Sequence, residues 1–184
     1  RSIIATAMVA ALALTACEGG RDAETDDSKS TGSTTAGSGG LVDTSACPTD
    51  LTTGIDGDTI TLGSSLPQSG IYSAFAAMLK GARAFLEYTN DQGGVEIAGK
   101  QYKIELIDKD DEYDVAKTAR NVQSLLNQDH VFVLFNVVGT KNNLAIRETV
   151  NDQCVPDLFA ATGSPVWGNP EYPWILGTGL VPYP

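Results

Sequence analysis

The chain has 184 residues, room for one or two domains. Apolar residues make up 42% and charged residues 19%, enough for a packed core over most of the length. Twelve Lys and Arg stand against 23 Asp and Glu, and the net charge of −11 excludes the phosphate-neutralising surface of a nucleic-acid binder and a polybasic membrane patch. With 1 His in the whole sequence, zinc binding and His-based hydrolysis also have little to work with.

The sequence opens at Arg1-Ser2 without an initiator Met and closes at Val181-Pro182-Tyr183-Pro184, so it is expected to be an amino-terminal fragment of a longer protein. From Ile3 to Ala16 only Thr6 and Thr15 are polar. That run is shorter than the roughly 20 residues a membrane-spanning helix needs and has the length of a signal-peptide core, with Arg1 as the remnant of a positive leader. The run ends Leu14-Thr15-Ala16-Cys17, which resembles a lipobox, the site where bacterial lipoproteins are cleaved before a diacylglycerol-bearing Cys. The resemblance implies a signal peptide over residues 1–16 and a lipid on Cys17. From Glu18 to Ala46, 16 of 29 residues are Gly, Ser or Thr and five are apolar. Such a segment buries too little surface to offset its ordering entropy, so residues 17–46 read as a lipidated Cys followed by a flexible tether. Residues 47–184 are then the first part of a folded domain. Cys47 and Cys154 remain as an even pair in an oxidising compartment, either joined in a disulfide or left as two buried thiols.

The folded part alternates strand-like and helix-like segments. Thr59–Ser65 reads as a strand ending in the turn Leu66-Pro67-Gln68-Ser69-Gly70. A helix follows, with Ile71, Phe75, Leu79, Ala82, Phe85 and Leu86 spaced to form one buried face, until Asn90-Asp91-Gln92-Gly93-Gly94 stops it. Tyr102–Ile107 alternates as a strand solvated on one side. Asp114 is placed to cap a helix carrying Val115, Ala119, Val122, Leu125 and Leu126. Val131–Phe135 is wholly apolar, as a central strand covered on both faces would be. A third helix spans about Lys141–Asp152, and Val155–Ala160 supplies a fourth strand. The pattern predicts an α/β fold: a doubly wound parallel sheet with helices on both faces, taken in its common strand order 2-1-3-4. In such sheets ligands bind at the carboxyl ends of the strands where the order reverses. That point lies between strands one and three, beside Leu66–Gly70 and Asn136-Val137-Val138-Gly139-Thr140. The plainer alternative is that both segments are ordinary turns.

Three motifs carry less than they suggest. Gly94–Lys100 matches the start of a phosphate-binding loop, but Gln101 replaces the required Ser or Thr and the segment runs from helix to strand. The carboxylates of Asp108–Asp114 alternate as in a calcium loop, yet Tyr113 and Ala119 occupy the positions that need Gly and Glu, so a solvated strand end plus a helix cap explains them. No nucleophile–base pair surrounds His130, Ser69 or Thr140, and an acid–base enzyme built on Asp110 and Asp111 has nothing further to point to it. No metal, cofactor or catalytic residue is expected.

Five segments in register carry a family resemblance. Leu66–Gly70, Met78-Leu79-Lys80-Gly81-Ala82-Arg83, Asn90–Val95, Asp110-Asp111-Glu112-Tyr113-Asp114, and the pair Gly139-Thr140 with Ala160-Ala161-Thr162-Gly163 resemble type I extracytoplasmic solute-binding proteins, specifically the leucine/isoleucine/valine-binding branch serving ABC importers. The match covers Ile55 to Trp174. It implies a two-lobed receptor, not an enzyme, that closes over a small solute such as an amino acid, amide or small carboxylate and delivers it to an ABC permease, here from a lipid anchor on the cell membrane. By the same resemblance the lobe-one contacts are Ser69, Gly70, Gly139, Thr140, Ala160 and Thr162, with Tyr72 or Phe75 packing on the ligand. Two departures stand out. Gly139 takes the place of a polar carboxylate contact, leaving that role to Thr140, and Lys141 takes the place of Pro, either favouring an anionic ligand or facing water. Most of lobe two is absent, so the fragment alone is expected to show no ligand-induced stabilisation. A sensor ectodomain of the same fold is the competing reading, and an extracytoplasmic enzyme the third.

Overall fold

The structure, a computed structural model, describes residues 42, 44–50 and 52–179. The signal segment, Cys17 and nearly all of the tether lie outside the described residues. Among those described, no helix is long and apolar enough to cross a membrane.

The elements run β1 (Ile55–Asp56), β2 (Thr59–Leu66), a 3-10 turn (Gly70–Phe75), α1 (Ala76–Asp91), β3 (Val95–Ile97), β4 (Lys100–Asp110), α2 (Val115–Asn127), β5 (Val133–Phe135), α3 (Thr140–Asp152), β6 (Asp157–Ala160) and β7 (Ile175–Gly177). The sheet order is β3-β4-β2-β5-β6-β7, with β1 paired to β2. β4, β2, β5, β6 and β7 are mutually parallel, and β4-β2-β5-β6 is the predicted 2-1-3-4 order. The order reverses between β2 and β5, which pair through Leu62 with Val133 and Gly63 with Leu134.

Neighbouring residues of a strand face opposite sides, and the two sides have different cores. On one, α2 and α3 pack Val122, Leu125, Leu126, Ile146 and Val150 against Leu134 and Val137, all buried. Each such side chain contributes roughly 1.5–3 kcal/mol by leaving water. On the other, α1 sets Leu79 against Leu66, Leu106, Val138 and Ala161. Helices thus lie over both faces of the sheet, as predicted, two on the first side and one on the second. Phe159 and Leu176, near the β6–β7 edge, remain half-exposed.

Three expectations are corrected. Ile71 and Phe75 do not extend the buried face of α1. They lie in the 3-10 turn, whose three residues per turn break the register, and Ile71 is 91% exposed. Phe85 is 67% exposed because it sits about 100° around the helix from Leu86, off the Leu79-facing stripe. β5 is shorter than Val131–Phe135, and Phe132 is partly exposed where Gly54 meets its backbone. The Gly94–Lys100 segment is a β-hairpin of β3 and β4, turned by Ala98 and Gly99 at φ 51° and 80°.

At the amino ends of the strands, Cys47 and Cys154 form a disulfide with a Cα–Cα distance of 5.6 Å. Cys154 has φ 53° and ends α3 in the left-handed conformation, followed by the Val155 N–H bonding the Val150 carbonyl. Asp157, at the start of β6, is fully buried with neither carboxylate oxygen hydrogen-bonded. Burial alone pushes its carboxyl up to about 8.

Candidate functional site

The carboxyl ends of β2, β4, β5 and β6 meet around a cleft of about 540 Å³ lined by Tyr72, Tyr113, Asp114, Val115, Thr140, Lys141 and Asn142. It opens at the switch point between β2 and β5, where an open α/β sheet binds its ligand.

The floor is the start of α3. Gly139 is its N-cap, at φ 105°, and no side chain caps the first turn. The N–H groups of Thr140, Lys141 and Asn142 therefore have no acceptor within the helix, and the helix dipole adds partial positive charge there. The turn is held from several sides. The Gly139 N–H donates to the Ala161 carbonyl (3.2 Å), and the buried Asn143 amide donates to the carbonyls of Val137 (2.9 Å) and Gly139 (2.7 Å). Asn142 Nδ2 donates to Thr118 Oγ1 (2.6 Å), while its Oδ1 is buried without a partner. The hydroxyls of Thr140 and Thr162 share a hydrogen bond, and Thr162 Oγ1 also accepts from the Ser164 N–H at 3.2 Å.

The aromatic side comes from two loops. Tyr72 projects from the 3-10 turn and Tyr113 from the β4–α2 connection, their ring centroids 4.4 Å apart and tilted by 43°. Phe75 lies parallel to Tyr113 at 6.5 Å. Tyr113 has φ 66°, directly after Glu112 at φ 51°. Its N–H donates to Asp111 Oδ1 (2.9 Å), and Asp111 Oδ2 accepts from Ser65 Oγ (2.8 Å) and Thr118 Oγ1 (2.9 Å). Asp111 is fully buried, which corrects the expectation of a uniformly solvated strand end. The next carboxylate cap does form: Asp114 accepts from the Lys117 N–H at 2.8 Å.

The first loop is pinned to the acidic end of β4. Asp110 accepts from Ser69 Oγ (2.6 Å) and the Gln68 N–H (2.8 Å), and Asp108 accepts from Gln68 Nε2 (2.8 Å) and pairs with Arg83. Burial works against it, but the hydrogen bonds from Ser69, Gln68 and Glu112 hold the Asp110 carboxyl below the usual range.

Of the residues singled out from sequence, Tyr72 and Thr140 line the cleft. Gly139 caps its floor, Thr162 reaches it through Thr140, and Phe75 backs Tyr113. Ser69 is turned to Asp110, and Gly70, exposed at φ 72°, opens the 3-10 turn. Ala160 lies beneath, fully buried, its carbonyl already accepting from Thr162 and Thr178. Lys141 lines the cleft and stays exposed. Tyr113, Asn142 and the Asp111 anchor were given no role from sequence. The available signal was the position of Asp110–Asp114 at the end of strand two, which in a 2-1-3-4 sheet lies beside strand one.

A second cleft of about 510 Å³ opens at the opposite end, beside the disulfide, where Leu126, His130, Phe132, Val155, Pro156 and Trp174 are among its lining residues. Among the described residues no helix begins there.

This sheet, its order and the carboxyl-end cleft define an open α/β lobe with its cleft at the topological switch point. The chain belongs to the periplasmic binding protein family, which matches residues 59–183. Similar solved structures include a possible leucine/isoleucine/valine-binding protein from Rhodopirellula baltica SH 1, at 24% identity and TM-score 0.52, covering 58% of this chain and 28% of that one. A substrate-binding periplasmic protein from Ralstonia solanacearum is 33% identical, with TM-score 0.51 over 57% of this chain and 30% of that one. The branched-chain amino acid transporter substrate-binding protein LivJ from Streptococcus pneumoniae, solved with isoleucine, is 27% identical, with TM-score 0.52 over 65% of this chain and 33% of that one. The chain thus spans a third or less of the length of these structures. A search of curated proteins found no match.

Proposed function

We propose that this chain is the first lobe of a lipid-anchored extracytoplasmic receptor that binds a small carboxylate-bearing solute, such as an amino acid, and hands it to an ABC importer. The observation that carries the reading is the uncapped first turn of α3 opening into a cleft walled by Tyr72 and Tyr113. Backbone N–H groups at a helix start suit an anion, and the two rings suit an apolar group attached to it. The Thr140–Thr162 pair adds to this. Two hydroxyls joined by one hydrogen bond have one O–H proton left over, for which a carboxylate is an acceptor. Thr140, Gly139, Tyr72 and Thr162 are the proposed lobe-one contacts, Phe75 supports the aromatic wall, and Ser69, Gly70 and Ala160 shape the loops around it.

The relatives' greater length supports a second lobe that completes the site. The lipobox-like Leu14–Cys17 and the tether composition support the anchor, and Cys17→Ser is expected to move the protein from the membrane fraction to the medium or periplasm. Solute binding is tested by a thermal-shift screen of the full-length, tether-trimmed receptor against amino acids, amides and small carboxylates. A ligand at 100 times its Kd stabilises by about 2.7 kcal/mol, which raises the midpoint by several degrees. No shift across the panel contradicts the reading.

A further inference from the structure

We infer that Tyr113 is a specificity-determining residue of this cleft, and that together with Tyr72 it selects a carboxylate bearing an aromatic ring over one bearing a branched aliphatic chain. The inference rests on the solute-receptor reading and names the solute class for the same site.

Tyr113 and Gly139 are matched to each other. A Cβ on Gly139 would sit 2.7 Å from Tyr113 Cε2 and 2.6 Å from Asn142 Oδ1. Glycine at 139 is therefore what lets the tyrosine ring lie across the first turn of α3. The ring's own position is forced. Glu112 and Tyr113 are consecutive left-handed residues, a conformation a bulky aromatic side chain rarely adopts. The fully buried Asp111 holds the Tyr113 N–H in that conformation and is itself fixed by Ser65 and Thr118.

The consequence is chemical. A solute whose carboxylate sits on the N–H groups of α3 meets the tilted Tyr72–Tyr113 pair with the group attached to that carboxylate. Aromatic rings gain from offset or edge contacts with such a pair beyond the area they bury. A branched aliphatic chain gains only the buried area. Specificity is the difference between those two affinities.

The test is calorimetric titration of the full-length receptor with benzoate, 4-hydroxybenzoate, phenylalanine, leucine and isoleucine. The expected result is that an aromatic carboxylate binds about tenfold or more tighter than either aliphatic amino acid. Tyr113→Leu is expected to erase most of that preference and Tyr113→Phe to keep it. Tyr72→Leu, which removes the other ring of the pair and leaves the Asp111-held loop and the first turn of α3 intact, is expected to reduce the preference and to add little to Tyr113→Leu, since the two rings form one wall. Unliganded melting of each variant reports whether it folds, and Tyr72→Leu, on an exposed turn, carries the test should Tyr113→Leu not fold. Tighter binding of leucine or isoleucine overturns the inference and leaves the receptor reading standing, as does an unchanged preference in Tyr113→Leu. Binding of no solute overturns both.

Discussion

The two ends of the sheet solve different problems. At the amino ends the chain is cross-linked: beside the second cleft a disulfide joins Cys47 to the end of α3, and the left-handed Cys154 is an ordinary helix stop. At the carboxyl ends the chain is left open. A helix start is uncapped, Asn142 Oδ1 has no partner, and left-handed aromatic residues at 113 and 159 mark backbone held in sparsely populated conformations. A buried network centred on Asp111 keeps the open end rigid without closing it. Unspent polar groups on a rigid frame are what a binding site requires, and a cross-linked pole opposite keeps the frame from loosening.

One departure from the contrast gives the largest expected effect. Asp157 belongs to the amino end, between Leu134 and Ile175, yet its carboxylate is buried without a hydrogen bond. Its carboxyl is raised by desolvation to about 8 from an ordinary 3.8. The native state therefore keeps a proton that the unfolded chain has released. Stability is expected to fall as pH rises from about 4 to about 8, by up to about 1.4 kcal/mol per pH unit, and to be flat outside that window from this group. Asp157→Asn is expected to remove the slope and to stabilise the protein most at pH 8, as read from urea unfolding at several pH values. A slope unchanged by the substitution would mean that Asp157 ionises without cost.

Next in size is the disulfide. Its 107-residue separation makes the closed loop long, and replacing both cysteines with Ser is expected to cost about 2–4 kcal/mol in chemical unfolding. Solute affinity is expected to stay within about twofold of wild type, because the bond serves the opposite pole. A large loss of affinity would show that the two ends are coupled. The smallest effect is at Lys141, exposed on the cleft's rim. Lys141→Gln is expected to weaken a carboxylate solute about fivefold or less, with the difference shrinking as salt is added. A salt-independent difference would place the ammonium in direct, desolvated contact with the solute.

The parallel sheet was legible because it follows from the alternation of apolar runs with helical periods over Thr59–Ala160, and its order is the common one for such sheets. The short strands β1, β3 and β7, of two or three residues, are too brief for periodicity to register. Ile71 and Phe75 fit a helical stripe on paper because i, i+4 spacing does not reveal a 3-10 turn. Of the candidate site, the turn at Gly139-Thr140 lies at the switch point that the fold class places between strands one and three, while Tyr72, named through the family resemblance, lines the same cleft. Asp111 and Tyr113 were not, for a physical reason. A run of carboxylates looks the same whether it faces water or one member is turned inward, and Ser65 and Thr118, which accommodate Asp111, are 46 and 7 residues away. Cys47 and Cys154 could be counted as an even pair, but their approach depends on how the segment before β1 lies against the end of α3.

The most direct test is a crystal structure of the full-length receptor with the solute that most raises its melting midpoint. The expected result is solute density against the first turn of α3, with the carboxylate at the N–H groups of Thr140 and Lys141 and the attached group on Tyr72 and Tyr113. Density instead in the cleft beside the disulfide, among His130, Phe132 and Trp174, would contradict the assignment of the open end as the binding end.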